Sequence, residues 1–139
     1  KVAGLAGLRM GCLLAHREIT QEFRKAQPPF PVNAVALAAA EAAVRDRKFL
    51  RTHVREVLRA RRDLENAFNR LGVRSFPSAG NFLLADFGAE APRLLRRLRQ
   101  RKILLRDRTR DFGRPGFVRI TIGTRAQMGR LIRELEALL

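Results

Sequence analysis

Lys1 and Arg9 bracket a run of small and apolar residues, Val2-Ala3-Gly4-Leu5-Ala6-Gly7-Leu8. A lysine amine condenses with a carbonyl, a guanidinium forks onto a phosphate, and glycine lets backbone approach a ligand closely. The set suits an anionic cofactor that carries a carbonyl. Far downstream, Arg119 lies between Val118 and Ile120 in an alternating segment. An arginine there is costly unless it has a partner or faces an open site. Arg106 precedes a polar loop, with Arg101, Arg108 and Arg110 close by, so surface charge is the plain alternative for it and a neighbour could equally meet an anion. Asn81 opens another apolar segment, where asparagine often bonds local backbone.

The chain has 139 residues, 46% of them hydrophobic, enough for a real core. Lys and Arg number 29 against 13 Asp and Glu, a formal net charge of +16 that raises the possibility of a nucleic-acid surface. The basic residues are nearly all arginine and are interspersed with acids along helices, and Trp and Tyr are absent. That pattern reads as solvated helix faces rather than a basic and aromatic stacking surface. A single cysteine, Cys12, excludes an internal disulfide; in an apolar run it is expected to be a small core residue. His16 and His53 have no companion at metal-ligand spacing, so no metal site is expected. The longest uncharged run, from Ala26 to Ala40, is too short to span a bilayer and contains three prolines.

These residues must be positioned by a series of elements. Met10–Ala15 reads as a short strand, and Arg17–Gln27 as a helix with Ile19, Phe23 and Ala26 on one face, ended by Pro28-Pro29. Asn33 is placed to cap an alanine-rich helix running to Arg45. The longest helix, Arg47–Leu71, carries the stripe Leu50, Val54, Val57, Leu64, Phe68 and Leu71, interrupted by Arg61 and closed by Gly72. Strands are expected at 73–76, 81–87, 103–106 and 117–122, with a helix at 91–101 whose Leu94, Leu95 and Leu98 point inward. Thr124 and Gln127 form a capping box for the last helix. The order implies α/β followed by α+β, with a boundary near Arg45 to Arg47.

Five segments together resemble the fold-type I pyridoxal-phosphate aminotransferases, and among them the histidinol-phosphate aminotransferase group. They are the opening Lys1 to Gly11, Gln27-Pro28-Pro29-Phe30-Pro31-Val32-Asn33, Pro77 to Leu84, Leu105-Arg106-Asp107, and Val118 to Thr124. The resemblance implies the end of the cofactor-binding large domain over residues 1–46 and the small C-terminal α+β domain over 47–139. It also implies that Lys1 carries pyridoxal phosphate covalently and moves a proton between substrate and cofactor. Arg9 would clamp the cofactor phosphate and Arg119 the substrate carboxylate. Arg106 would meet a substrate phosphate, and Asn81 would contact ligand.

The implied reaction is transamination between histidinol phosphate and 2-oxoglutarate in histidine biosynthesis, by a cytoplasmic enzyme that is a homodimer at full length. Alternatives are a threonine-phosphate decarboxylase or an aromatic aminotransferase within the fold, and a basic nucleic-acid-binding module outside it. Ala3 and Pro31 depart from the aromatic residue and asparagine common in the family, which bears on substrate identity. The family's acid for the pyridinium nitrogen, its stacking aromatic ring and most of its phosphate cup lie upstream of Lys1. The chain by itself is therefore expected to be inactive.

Overall fold

A computed structural model describes residues 2–139, which divide into two compact units, Lys1–Val54 and Arg55–Leu139. The division falls inside the longest helix, a few residues after the boundary expected from the change of pattern.

The first unit starts with a 3-10 turn, Leu5–Leu8, held between left-handed Gly4 (φ 71°) and Arg9 (φ 56°). Helix α1 spans Arg17–Lys25 and α2 spans Ala34–Arg45. Asn33 caps α2 as expected, its side-chain oxygen accepting from the Ala36 amide at 2.8 Å. Asp46 repeats the device for α3 (Arg47–Arg70), accepting from the Phe49 amide at 2.9 Å. The expected strand at Met10–Ala15 is not formed. A strand needs a neighbour for its backbone groups, and the described residues of this unit contain no other strand to pair with. Cys12 lies in this stretch and is exposed, contrary to its expected place in a core. Among the described residues of the unit only Ala36 is buried, while Leu14 and Phe30 are 93% and 95% exposed.

The second unit holds the core. Strands β1 (Arg74–Phe76), β2 (Phe82–Asp86), β3 (Arg106–Asp107) and β4 (Phe117–Thr121) form an antiparallel sheet in the order β1-β2-β4-β3. The central ladder pairs Leu83 with Ile120 and Ala85 with Val118, and all four are fully buried. They pack with Leu64 and Phe68 of α3, Leu94 and Leu98 of α4 (Ala91–Gln100), and Leu131 and Leu135 of α6 (Arg125–Glu136). Short α5 (Thr109–Phe112) bridges β3 and β4. Period-two alternation puts Leu84 and Arg119, themselves paired, on the opposite face.

Helix ends follow the capping rules. Gly72 takes φ 66° after α3, and Val73 donates back to the Phe68 carbonyl at 2.9 Å. The same closure shortens β3 relative to the expected 103–106. Lys102 takes φ 59° and the Ile103 amide returns to the Leu98 carbonyl at 2.9 Å, so pairing starts only at Arg106. No described helix is long and apolar enough to cross a membrane.

Candidate functional site

In the first unit, the opening turn has room around it. Gly4, Gly7 and Gly11 have no heavy atom near where a Cβ would stand, and only Gly4 has a backbone angle that requires glycine. Ala3, Ala6, Arg9, Met10, Ala43 and Leu50 line a cleft of about 650 Å³. Arg9 ends the turn, its amide donating to the Ala6 carbonyl at 3.3 Å, and no described acid pairs with its exposed side chain. Lys1, the expected covalent anchor, lies outside the described residues.

In the second unit, β3 and β4 set Arg106 directly opposite Arg119. Like charges in register repel, so the arrangement favours an anion between or beside them. Neither residue has an acidic partner among the described residues. Two of the neighbouring arginines differ in this respect: Arg101 pairs with Glu134, and Arg108 with Asp111 at 3.0 Å. Arg110, the third neighbour, has no acidic partner among the described residues, like Arg106 itself. The half-buried Arg119 has its guanidinium over the Phe82 ring, 5.3 Å from the centroid, and its Nε is buried without a hydrogen-bond partner. Lys102, Leu105, Arg106, Arg119, Gln127 and Arg130 line a cleft of about 570 Å³ that has no acid in its wall.

Asn81 stands at the end of the same β2–β4 ladder, where its backbone carbonyl accepts from the Ile122 amide at 2.9 Å. That bond is a ladder bond of the main chain, which any residue at this position would make. Just beyond Arg106, Asp107 accepts from the amide and hydroxyl of Thr109 at 2.8 and 2.6 Å. These bonds, the hydroxyl's first, hold the Asp107 carboxyl below its ordinary range. They fix the start of the loop that follows β3.

Sequence reasoning missed two contributors. Phe82 supplies the ring beneath Arg119, and the alternation of β2 and β4 was the signal for it, because Phe82 and Arg119 fall on the same face. Gln127 was recognised as a cap but not as part of the cleft wall. Its side chain accepts from the Thr124 amide at 2.9 Å, and it comes so close to Gly123 that a Cβ there would collide with it.

The sequence matches the family model for aminotransferase class I and II over residues 1–135. The chain is 34% identical over 139 residues to the histidinol-phosphate aminotransferase 1 of Nitrosococcus oceani, covering all of this chain and 37% of that protein. Among solved structures, it is similar to histidinol-phosphate aminotransferase from Sinorhizobium meliloti in complex with pyridoxal-5'-phosphate. That match has a TM-score of 0.79 and 27% identity, and covers 100% of this chain and 40% of that one. A second likeness is to L-threonine-O-3-phosphate decarboxylase from Porphyromonas gingivalis, with a TM-score of 0.76, 30% identity, and coverage of 99% of this chain and 43% of that one. The chain thus spans well under half the length of these relatives, yet nearly all of its own residues are accounted for: it belongs to the class I and II aminotransferase family, with the fold-type I architecture.

Proposed function

We propose that the chain is the substrate-anchoring part of a pyridoxal-phosphate-dependent aminotransferase that moves an amino group between histidinol phosphate and 2-oxoglutarate. The observation that carries this reading is the in-register pair Arg106 and Arg119, without described acidic partners, on a cleft whose wall adds Lys102 and Arg130 and contains no acid. Both proposed substrates are anions, and a buried, unpartnered Nε on Arg119 calls for an acceptor.

The opening segment fits the cofactor. A guanidinium with no described acid and an open, small-residue cleft suit a phosphate-bearing ring. When bound, pyridoxal phosphate supplies the electron sink for cleavage at the substrate's α-carbon. Arg9 would hold its phosphate, and Lys1 would anchor it and carry the proton, a role open to an amine whose charged form is destabilised by desolvation. Arg119 would hold a substrate carboxylate by two parallel bonds and Arg106 a substrate phosphate. Asn81 is assigned ligand contact alongside its backbone role. In this reading residues 1–46 close the cofactor-binding domain and 47–139 form the small domain of a cytoplasmic homodimer that makes histidine.

A second reading, threonine-phosphate decarboxylation, is favoured by the likeness to the Porphyromonas structure. Both substrates are phosphorylated, so the same basic cleft serves either. Amine-donor competition with the full-length product of the encoding gene separates them. Glutamate formed from 2-oxoglutarate with histidinol phosphate, and not with phenylalanine, is expected. Carbon dioxide released from threonine phosphate would replace the first reading with the second. The 139-residue chain alone is expected to give no turnover and no stable cofactor absorbance.

A further inference from the structure

Arg61 interrupts the apolar stripe of α3, and its side chain is only 17% exposed. Its Nη1 donates to the Ser78 carbonyl at 2.5 Å and reaches the Gly80 carbonyl at 3.4 Å. Its Nε is buried without a hydrogen bond, with the Glu65 carboxylate 3.7 Å away. Arg61 is thus a polar tie between α3 and the 78–80 loop, set into a stripe that is otherwise apolar.

The loop that it grips leads to the anion cleft. The Ser78 hydroxyl accepts from the Gly80 amide at 3.1 Å, which folds the loop back on itself. A Cβ on Gly80 would stand 3.3 Å from the Phe82 ring, so loop backbone and ring are packed together. Phe82 is otherwise partly open to solvent, and its ring lies under the Arg119 guanidinium. A continuous series of contacts thus runs from Arg61 through the 78–80 loop and the Phe82 ring to Arg119.

We infer that Arg61 is a positioning residue for the anion site: by holding the Ser78 and Gly80 carbonyls it seats the Phe82 ring that orients Arg119. The inference rests on the proposed role of Arg119 in binding a substrate anion. It adds a residue that never touches the ligand but sets how the guanidinium is presented to it. A ring packed on one side of a guanidinium leaves the edge, with its forked donors, free for an oxyanion.

The test uses the isotopically labelled 139-residue chain, with the Arg119 Nε–Hε resonance assigned by its disappearance in Arg119→Gln. Phe82→Leu defines the resonance position without the ring. Arg61→Met is expected to move the Arg119 signal toward that position and to weaken binding of inorganic phosphate at least several-fold. Arg61→Lys, which still donates to the Ser78 carbonyl, is expected to stay near wild type in both.

Gly80→Ala provides a route that leaves Arg61 intact. Its backbone angle tolerates alanine, and the added methyl presses the Phe82 ring, so it too should shift the Arg119 signal. An unmoved Arg119 resonance in folded Arg61→Met, or in Gly80→Ala, would overturn the inference. Equal phosphate affinity in wild type and Arg119→Gln would instead overturn the anion site itself, because the ring-dependent shift is read without any ligand.

Discussion

At the scale of single residues, what sets Arg106 and Arg119 apart from the many other arginines is that they face each other in register across β3 and β4, on a cleft with no acid in its wall. Arg70, Arg101, Arg108, Arg114 and Arg125 each lie against a carboxylate, and such surface pairs contribute little to stability. Arg119 keeps a buried donor unspent. Replacing Arg119 with Gln is therefore expected to abolish the chain's affinity for phosphate in a titration. Arg106→Gln, which removes an exposed charge, should weaken it by less. This ordering would be reversed if the exposed β3 residue were the principal anchor.

Asp86 carries a different residue-scale prediction. Its carboxylate accepts from Arg114 at 2.8 Å and from the Gly88 amide at 3.0 Å, and these bonds outweigh burial to hold its pKa below the ordinary 3.8. A depressed folded-state pKa contributes stability that is fully present above 3.8 and is lost as pH falls through the folded value. Asp86→Asn should thus be less stable than wild type at neutral pH and lose less stability on acidification below about pH 4. Melting curves across that range check it. Asp107 is shifted in the same direction, so some acid sensitivity should persist in the variant.

At the scale of elements, local chemistry made the helices legible. Asn33, Gly72 and the Thr124–Gln127 box each act through bonds within a few residues, so their outcome needs no tertiary context. The two strand errors have the opposite cause. Met10–Ala15 is apolar enough for a strand but has no described partner strand in its unit, and Ile103 uses its amide to close α4 instead of joining a ladder. The candidate site was legible as residue types, since Arg119 stood out in an apolar strand. Its pairing with Arg106 depended on a register that only the folded sheet fixes. Thr124→Ala removes half of the capping box at the N-terminus of α6 and is expected to cost about 1 kcal/mol in urea unfolding of the second unit. The core face formed by Met128, Leu131 and Leu135 is unchanged by it.

At the scale of the whole molecule, burial is divided very unequally. The connected core of buried residues runs from Ala60 to Leu135 and lies wholly within the unit Arg55–Leu139. The unit Lys1–Val54 leaves Leu14, Phe30, Val35 and Val44 largely exposed, and α1 keeps Ile19 and Phe23 at 50% and 61% exposure. Short helices without a packed apolar face are marginal in water, because each must offset its nucleation entropy almost alone. Amide hydrogen exchange on the 139-residue chain is therefore expected to show its slowest amides in β2, β4 and the middle of α6. Amides of α1 and α2 should exchange orders of magnitude faster, through local opening rather than global unfolding. Uniform protection across both units would mean that the exposed apolar faces are covered in solution, and the division of stability argued from burial would fail. If protection divides as expected, the anion site proposed around Arg119 stands on the stable unit and the segment proposed to hold the cofactor, around Arg9, on the labile one. In that case phosphate binding at Arg119 should survive mild denaturant that has already melted α1 and α2.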